Sequence, residues 1–434
     1  MTRLQRLCLG VVLALSVGLG APAVAGALTV GVAEQTPDVF RDARFLALGI
    51  HAARLSVAWD VFDNRAQTKA LDQWLRAARA DGVSPLISFD HHAPSGRGRS
   101  APSPGALAHT FRIFRARYPW VHDFATWNEA NYCGEPTCHR PALVASYYRV
   151  LRQTCRSCTV LGAELLDQPG MVAWVRAFDR ALGGQPGIWG LHNYIGANRL
   201  QIGSTVSLLR ATRSEIWFTE TGGVVSRHNH SDEGFPQSPA HAAVVTGFIF
   251  NRLARLSRRI TRVYIYQWNA GPGRTQSWDS GLVGPEPGFA ARPAFATFVR
   301  LIAAAHDSPL TRATENALLT HRGALIVGGL LAPGATTPLA GTVTLRDTRT
   351  GQALASETVA AGQRFAFSVV PGHYGLTAVG SVDAASVLTP LDSTLASGAL
   401  GTTSVGCAAL RATAKAGGAG LVANIACTAP VPAG

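Results

Sequence analysis

From Leu28 to about Ala305, short apolar, β-branched or aromatic runs alternate with longer amphipathic stretches, a rhythm that calls for parallel strands joined by crossover helices. Candidate strands lie at 28–33, 53–59, 84–90, 123–128, 159–165, 188–194, 215–220 and 262–268, eight in all. The helices between them read most clearly at 70–80, 105–117, 141–153, 171–182, 206–212, 239–257 and 293–305, with a weaker segment near 38–48. Eight such units in about 280 residues fit a closed (β/α)8 TIM barrel, typically ~250 residues, better than an open doubly wound sheet. No G-x-G-x-x-G follows the first run, so the dinucleotide-binding form of the open sheet lacks its phosphate loop.

After Ser308 helix periodicity disappears and Gly, Thr, Val and Ala dominate in short alternating runs, which predicts a separate all-β, β-sandwich-like domain over 308–434. Residues 341–346, a Thr350-Gly351 turn and residues 353–359 read as a hairpin, extended by 365–370 and 374–379. Cys407 and Cys427 can staple its last hairpin, closing a loop of about 20 residues and constraining the unfolded chain by roughly 3 kcal/mol. The tail 428–434 is loose and rich in Pro and Ala.

At the other end, Arg3 and Arg6 precede an apolar run from Leu7 to about Leu19 that ends in small residues at Ala23 and Ala25. This is the pattern of a secretory signal over 1–25, and the run is short of the ~20 residues a membrane span needs. The expected mature chain is secreted and carries a barrel over 26–307. Cysteine usage agrees with export: Cys8 falls in the leader and the others form local pairs, Cys133/Cys138, Cys155/Cys158 and Cys407/Cys427. A zinc knuckle from the first two pairs is unfavourable, because a helix over 141–153 at ~1.5 Å per residue separates them by about 20 Å.

The formal charge is +13, but Lys occurs only at Lys69 and Lys415 and the arginines are scattered, without the basic stripe of a nucleic-acid binder. The small cluster Arg252, Arg255, Arg258 and Arg259 reads as the solvated side of one helix. A monomer that needs no cofactor and meets no nucleic acid is the expectation.

In a (β/α)8 barrel the site is built on the carboxyl ends of the strands. There the sequence places Asp90-His91-His92, Trp127-Asn128-Glu129, His192-Asn193-Tyr194, Thr219-Glu220 and Gln267-Trp268-Asn269, while the second run carries Arg54. Glu129 and Glu220, ending the fourth and seventh runs, would face one another across the mouth. Paired carboxylates are the minimal kit for glycosidic bond hydrolysis: one protonated to help the leaving oxygen depart, one ionised to attack the anomeric carbon or activate water. Trp127, Trp217, Trp268 and Tyr194 would supply aromatic surface for sugar faces, and Asn128 and His192 hydrogen bonds for hydroxyls. Trp59, Trp74, Trp120 and Trp189 read as core.

At these residues the sequence resembles the clan A retaining glycoside hydrolases, most of all the family 5 and family 39 type of barrel. Residues 53–59 are similar to that group's strand 2 with its arginine, and Ser88–Pro94 to its strand 3 histidine segment. Asn128-Glu129 resembles the strand 4 motif, His192-Asn193-Tyr194 the strand 6 His-x-Tyr and Phe218-Thr219-Glu220 the strand 7 glutamate. The resemblance covers the barrel alone. It implies an oligo- or polysaccharide substrate, with Glu129 as general acid/base, Glu220 as nucleophile and Asn128 on the sugar 2-hydroxyl. Arg54 and Tyr194 would hold Glu220 ionised, and His91, His192 and Trp268 would line the sugar subsite. Arg54 should lower the pKa of Glu220, and a less polar niche beside Trp127 should raise that of Glu129.

Ala130 stands where Pro commonly follows the acid/base glutamate, and either His91 or His92 could be the inward residue of strand 3. Either glutamate alone could instead pair with a neighbouring arginine. Glu164 and Asp167 could contact substrate or lie on the surface, and His228, His230, Asp232 and Glu233 read as a solvated rim loop rather than a metal cluster. The competing function class is a barrel that binds glycan without cutting it, or an adhesion protein whose β domain does the work.

Overall fold

The computed structural model describes residues 28–91, 100–227, 234–270, 278–285 and 290–305, then 324–331, 339–369 and 372–383 with four short strands beyond. Residues 1–27, His92, residues 228–233, Cys407 and Cys427 lie outside the described residues. The first strands are β1 (Thr29–Ala33), β2 (Ala52–Ala58), β3 (Ser84–Asp90), β4 (Asp123–Ala125), β5 (Thr159–Leu161), β6 (Glu164–Leu166), β7 (Ile188–His192) and β8 (Glu215–Thr221). β9 (Ser226–Arg227), β10 (Ile260–Tyr266) and β11 (Trp278–Asp279) follow. All but β9 and β11 form one parallel sheet in the order β5-β4-β3-β2-β1-β10-β8-β7-β6.

β5 and β6 are two halves of the single run expected at 159–165. The break between them joins the sheet's ends: the Gly162 N–H donates to the Ile188 carbonyl and the Gly190 N–H to the Ala163 carbonyl, each at 2.9 Å. The fold is therefore a TIM barrel whose fifth stave is broken. The helices are α1 (Ala43–Ala47), α2 (Arg65–Ala80), α3 (Pro104–Arg117), α4 (Pro141–Thr154), α5 (Met171–Leu182), α6 (Tyr194–Asn198), α7 (Gly203–Ala211), α8 (Pro239–Phe248) and α9 (Pro293–Ala305). The helix expected to reach residue 257 leaves α geometry after Phe248 and ends in a π turn at Ile249–Leu253. Arg259 is not simply solvated: its guanidinium donates to the carbonyls of Leu209, Thr212 and Ser214.

Two hydrophobic layers follow from two periodicities. On α2 the buried residues are Leu71, Trp74, Leu75 and Ala78, and on α5 Met171, Trp174, Val175 and Phe178, each set spaced i, i+3, i+4, i+7 against the sheet. The cap of α2 is Asn64, whose Oδ1 accepts from the N–H groups of Ala66 and Gln67. Inside the barrel the strand period of two governs: Ala52, Leu86, Ala125, Leu161, Trp217 and Tyr264 form one buried apolar layer. Two residues further along β2, β3 and β10 the same faces carry Arg54, Ser88 and Tyr266, so the barrel's interior turns polar toward its carboxyl end.

The all-β expectation for the C-terminal part agrees with β12 (Ala324–Gly328), β13 (Leu330–Leu331), β14 (Ala340–Asp347), β15 (Ala353–Val359), β16 (Phe365–Val369) and β17 (Gly372–Asp383). β18 (Thr402–Gly406), β19 (Leu410–Ala414), β20 (Leu421–Val422) and β21 (Ile425–Ala426) complete them. The hairpin β14–β15 forms with β17 on its other side, and Val343, Leu345, Val359, Phe367 and Leu376 pack in one cluster. Thr342 and Thr344 face Thr358 and Ser356 across the exposed side, hydroxyl to hydroxyl at 2.9 Å.

Cys133–Cys138 and Cys155–Cys158 are disulfides, with Cα separations of 4.8 and 5.4 Å. The local pairing expected for these four residues is thus present, on either side of α4. Among the described residues no helix is long and apolar enough to cross a membrane.

Candidate active site

The strand ends open on a cleft of about 1070 Å³ whose wall includes Asp90, His91, Asn128, Glu129, Tyr194 and Glu220. Glu129 follows β4 at φ +41°, in the left-handed region that a non-glycine residue enters at a cost of roughly 1–3 kcal/mol. Main-chain bonds on both sides hold it there: the Asn128 N–H donates to the Phe89 carbonyl at 2.7 Å and the Ala130 N–H to the Glu164 carbonyl at 2.9 Å. Its carboxylate is part-exposed and lies 3.1 Å from His192 Nδ1.

Glu220 reaches the same place by a different device. Trp217 faces the barrel interior, and simple alternation would turn Glu220, three residues on, to the opposite face. The pairing of β8 shifts register against both neighbours, between Val263 and Ile265 on β10 and between Gly190 and His192 on β7. That irregularity re-aims the strand end, so Glu220 is brought onto Arg54 and Tyr194. A carboxylate oxygen of Glu129, one of Glu220 and a ring nitrogen of His192 all lie within 4.8 Å of one another.

Arg54 is fully buried beneath this pair and its donors are spread over four oxygens of three residues. Nε donates to Glu164 Oε1 at 2.7 Å, Nη2 to Asn128 Oδ1 at 2.7 Å and also to Glu164 Oε2, and Nη1 to Glu220 Oε1. Glu220 Oε2 accepts from the Tyr194 hydroxyl at 3.2 Å. Burial works to push the Glu164 carboxyl up, and the Arg54 charge and hydrogen bonds more than reverse it, holding it well below the ordinary carboxylate range. For His192 burial favours the neutral ring, but the charge of Glu220, the hydrogen bond to Glu129 and the nearby Glu164 carboxylate raise it to about 10.

His91 lines the cleft. Its Nδ1 lies 2.8 Å from Asp90 Oδ1 and 2.9 Å from Glu135 Oε1, and these bonds push it up to about 10. Asp90 also accepts from Ser56 Oγ at 3.0 Å and from Asn128 Nδ2 at 3.3 Å, which ties the ends of β2, β3 and β4 together.

Several expectations need correction. Trp268 does not line a sugar subsite: it is fully buried, its indole N–H donates to Asp42 at 2.9 Å, and Phe45 and Phe295 pack edge-on against it. Trp127 is likewise buried, stacked on Tyr147 with its N–H toward Glu135 at 3.2 Å. Trp217 sits in the barrel interior under the Arg262 guanidinium, 3.7 Å from ring centre to carbon. Arg54 and His192 are wholly inaccessible, so both support the glutamates rather than touch the cleft's contents directly. Glu164 and Asp167 are neither surface residues nor cleft contacts. Glu164 lies in the Arg54 network, and Asp167 is held by the N–H groups of Ile195 and Gly196 and by Ser204, with burial raising it to about 6.

The aromatic side chains in the cleft wall include instead Tyr132, Tyr266 and Trp278, with the largely buried Tyr194 and Phe235 beside them. Trp278 stands on β11, paired with β9, and meets Tyr194 edge-on at 4.8 Å. It lies beyond the eighth candidate strand, in a stretch without periodicity, so nothing in the pattern marked it. Tyr132 immediately precedes the loop that the Cys133–Cys138 disulfide closes.

The sequence matches no protein-family model and no curated protein. Among solved structures, the chain is similar to a glucosidase from Croceicoccus marinus at 10% identity, covering 79% of this chain and 93% of that one, with a TM-score of 0.48. The catalytic domain of a mannanase from Streptomyces sp. SirexAA-E is similar at 13% identity over 64% and 89%, TM-score 0.42. A β-glucuronidase from an uncultured Clostridium sp. is similar at 11% identity over 63% of this chain, which spans half the length of that protein, TM-score 0.43. Identities this low transfer no activity; the chemistry of the site follows from its own geometry.

Proposed function

We propose that this chain is a secreted glycosidase that cleaves O-glycosidic bonds of a β-linked glycan with retention, by double displacement. The observation that carries the reading is the approach of Glu129 and Glu220, with carboxylate oxygens within 4.8 Å of each other in one cleft. Retaining pairs stand about 5–5.5 Å apart and inverting pairs ~6.5–9.5 Å, and the spacing of this pair fits the shorter class.

In the first step Glu220 attacks the anomeric carbon while Glu129 gives its proton to the departing oxygen, leaving a glycosyl ester on Glu220. In the second, water gives a proton to Glu129 and attacks the same carbon, and Glu220 leaves as carboxylate. Arg54 and Tyr194 bond the two oxygens of Glu220 and fix its direction of approach. Asn128, anchored through Arg54 and Asp90, is set to meet the sugar 2-hydroxyl. Tyr132, Tyr266 and Trp278 offer apolar surface to sugar faces, and Gln35, Gln67 and Gln168 in the cleft wall offer neutral amides to hydroxyls.

The same proposal takes residues 1–25 as a leader, 26–307 as the catalytic unit and 308–434 as a β-sandwich-like appendage of a monomer. The test uses a panel of aryl β-glycosides. Glu220→Ala abolishes hydrolysis and azide restores turnover as the α-glycosyl azide, whereas Glu129→Gln slows substrates with poor leaving groups most. Unchanged activity in both variants refutes the assignment.

A further inference from the structure

We propose that Glu164 is the positioning residue for both carboxylates of the pair, setting Arg54 against Glu220 and His192 against Glu129 from beneath the cleft. The inference rests on the hydrolase reading above and adds a residue that touches no substrate. Glu164 is fully buried, and nothing of it lines the cleft.

Arg54 forms the first arm. A guanidinium is a rigid fork of five N–H groups, so fixing one edge fixes where the others point. The Nε and Nη2 edge is committed to the two oxygens of Glu164, which leaves Nη1 aimed at Glu220 and the remaining Nη2 hydrogen at Asn128. Glu164 is held in turn by Ser88, whose hydroxyl donates to Oε2 at 2.6 Å. Without that carboxylate the guanidinium edge would have no fixed reference, and Glu220 would lose its direction along with it.

The second arm runs through His192. The ring presents Nδ1 to Glu129 at 3.1 Å and Nε2 toward Glu164 Oε2 at 3.6 Å, with Glu220 Oε2 at 3.8 Å from Nδ1. Only the imidazolium carries hydrogens on both nitrogens, so a carboxylate on each side favours the charged ring with one N–H toward the acid/base glutamate. Glu129, Glu164 and Glu220 are the charged groups facing the ring, with Arg54 beyond Glu164.

The main chain of Glu164 adds a third link. Its N–H donates to the Trp127 carbonyl at 3.0 Å and its carbonyl accepts from the Ala130 N–H at 2.9 Å, bracketing the strained segment that carries Glu129. Room for the side chain is made by Gly190, where a Cβ would stand 2.7 Å from Glu164 Cγ. A buried carboxylate is costly even when paired, and apolar residues often replace such pairs without loss of stability. Its placement between the two supports of the pair therefore points to alignment.

The experiment compares the full-length wild type with Glu164→Gln, which keeps the shape and removes the charge. On an aryl β-glycoside that the wild type cleaves, the variant is expected to lose kcat on the order of 10²-fold with KM changed by less than about twofold, the scale of a misplaced reacting group. ¹⁵N NMR of the imidazole is expected to show His192 charged through neutral pH in the wild type and titrating at lower pH in the variant. Ser88→Ala leaves the charge in place and is expected to keep His192 charged with a smaller loss of kcat.

Wild-type kcat in folded Glu164→Gln overturns the proposal, as does a loss of kcat with an unmoved His192 titration. If Glu164→Gln fails to fold, Glu164→Asp decides: a charged His192 with reduced kcat supports the inference, and full kcat overturns it. A wild type that cleaves no glycoside counts against the hydrolase reading alone, because the NMR comparison still reports whether Glu164 sets the charge of His192.

Discussion

Replacing Arg54 with methionine should reverse the sign of the pH dependence that Glu164 gives to stability. In the native protein burial pushes the Glu164 carboxyl up, but the Arg54 charge and hydrogen bonds, with His192 beside them, together hold it below its ordinary value of 4.5. A carboxyl depressed by folding contributes stability that is present above its unfolded pKa and is lost as pH falls toward its folded one. In Arg54→Met only His192 is left to oppose burial, the largest of these influences, so the folded pKa should rise above the unfolded one, and the contribution is then present in acid and lost as pH rises.

The size of the effect follows from burial. Arg54 and Glu164 are both wholly inaccessible, and removing one partner of such a pair costs about 3–5 kcal/mol, against a total stability of roughly 5–15 kcal/mol. At about 2–4 °C per kcal/mol for a unit of this size, Tm should fall by about 6–20 °C. Thermal unfolding followed by circular dichroism at about pH 8 and pH 5 tests this: the gap between wild type and Arg54→Met should be widest at pH 8 and narrow in acid. A gap under about 2 °C at pH 8, or one that widens toward acid, would refute the reasoning.

Gly190→Ala would drive a methyl into Glu164 Cγ at 2.7 Å and Thr219 Oγ1 at 2.8 Å. It should cost about 1–3 kcal/mol in urea unfolding, with a loss of kcat as Glu164 is displaced. Because Glu129 sits at φ +41°, Glu129→Gly should unfold at higher urea than Glu129→Ala, by about 1 kcal/mol, and equal stabilities would mean that the left-handed backbone there is not strained. Trp278→Ala removes the ring that meets Tyr194 at 4.8 Å and should raise KM for an oligosaccharide on the order of 10-fold, equivalent to ~1.4 kcal/mol, with kcat nearly unchanged. A larger effect on kcat than on KM in steady-state kinetics would place that ring among the groups that act on the reacting bond.

What the sequence made legible was whatever period or strand end could announce. The count of apolar runs led to the barrel, and Glu129, Glu220 and Tyr194 stood where strands finish, with Arg54 carried within the second run. The misreadings have physical causes. Trp127, Trp217 and Trp268 also lie at or near strand ends, but their side chains are claimed by packing: Trp217 fills the interior and Trp268 wedges between Phe45 and Phe295. Composition cannot tell such a ring from one that greets a sugar.

Glu164 was hidden by the break at Gly162 and Ala163, which resets the inward phase of the fifth stave. The irregularity in β8 had the opposite effect, since strict alternation from Trp217 would have turned Glu220 away. Trp278 and Tyr132 are set by a two-stranded ribbon and a disulfide-closed loop, contacts between distant segments with no local signal.

The most direct measurement is the configuration of the first-formed sugar, followed by ¹H NMR as the wild type cleaves an aryl β-glycoside, before the free sugar equilibrates. Attack by Glu220 and then by water should release the β-anomer first. Initial release of the α-anomer would mean a single displacement by water, and would contradict a nucleophilic Glu220 working with Glu129 as its acid/base partner.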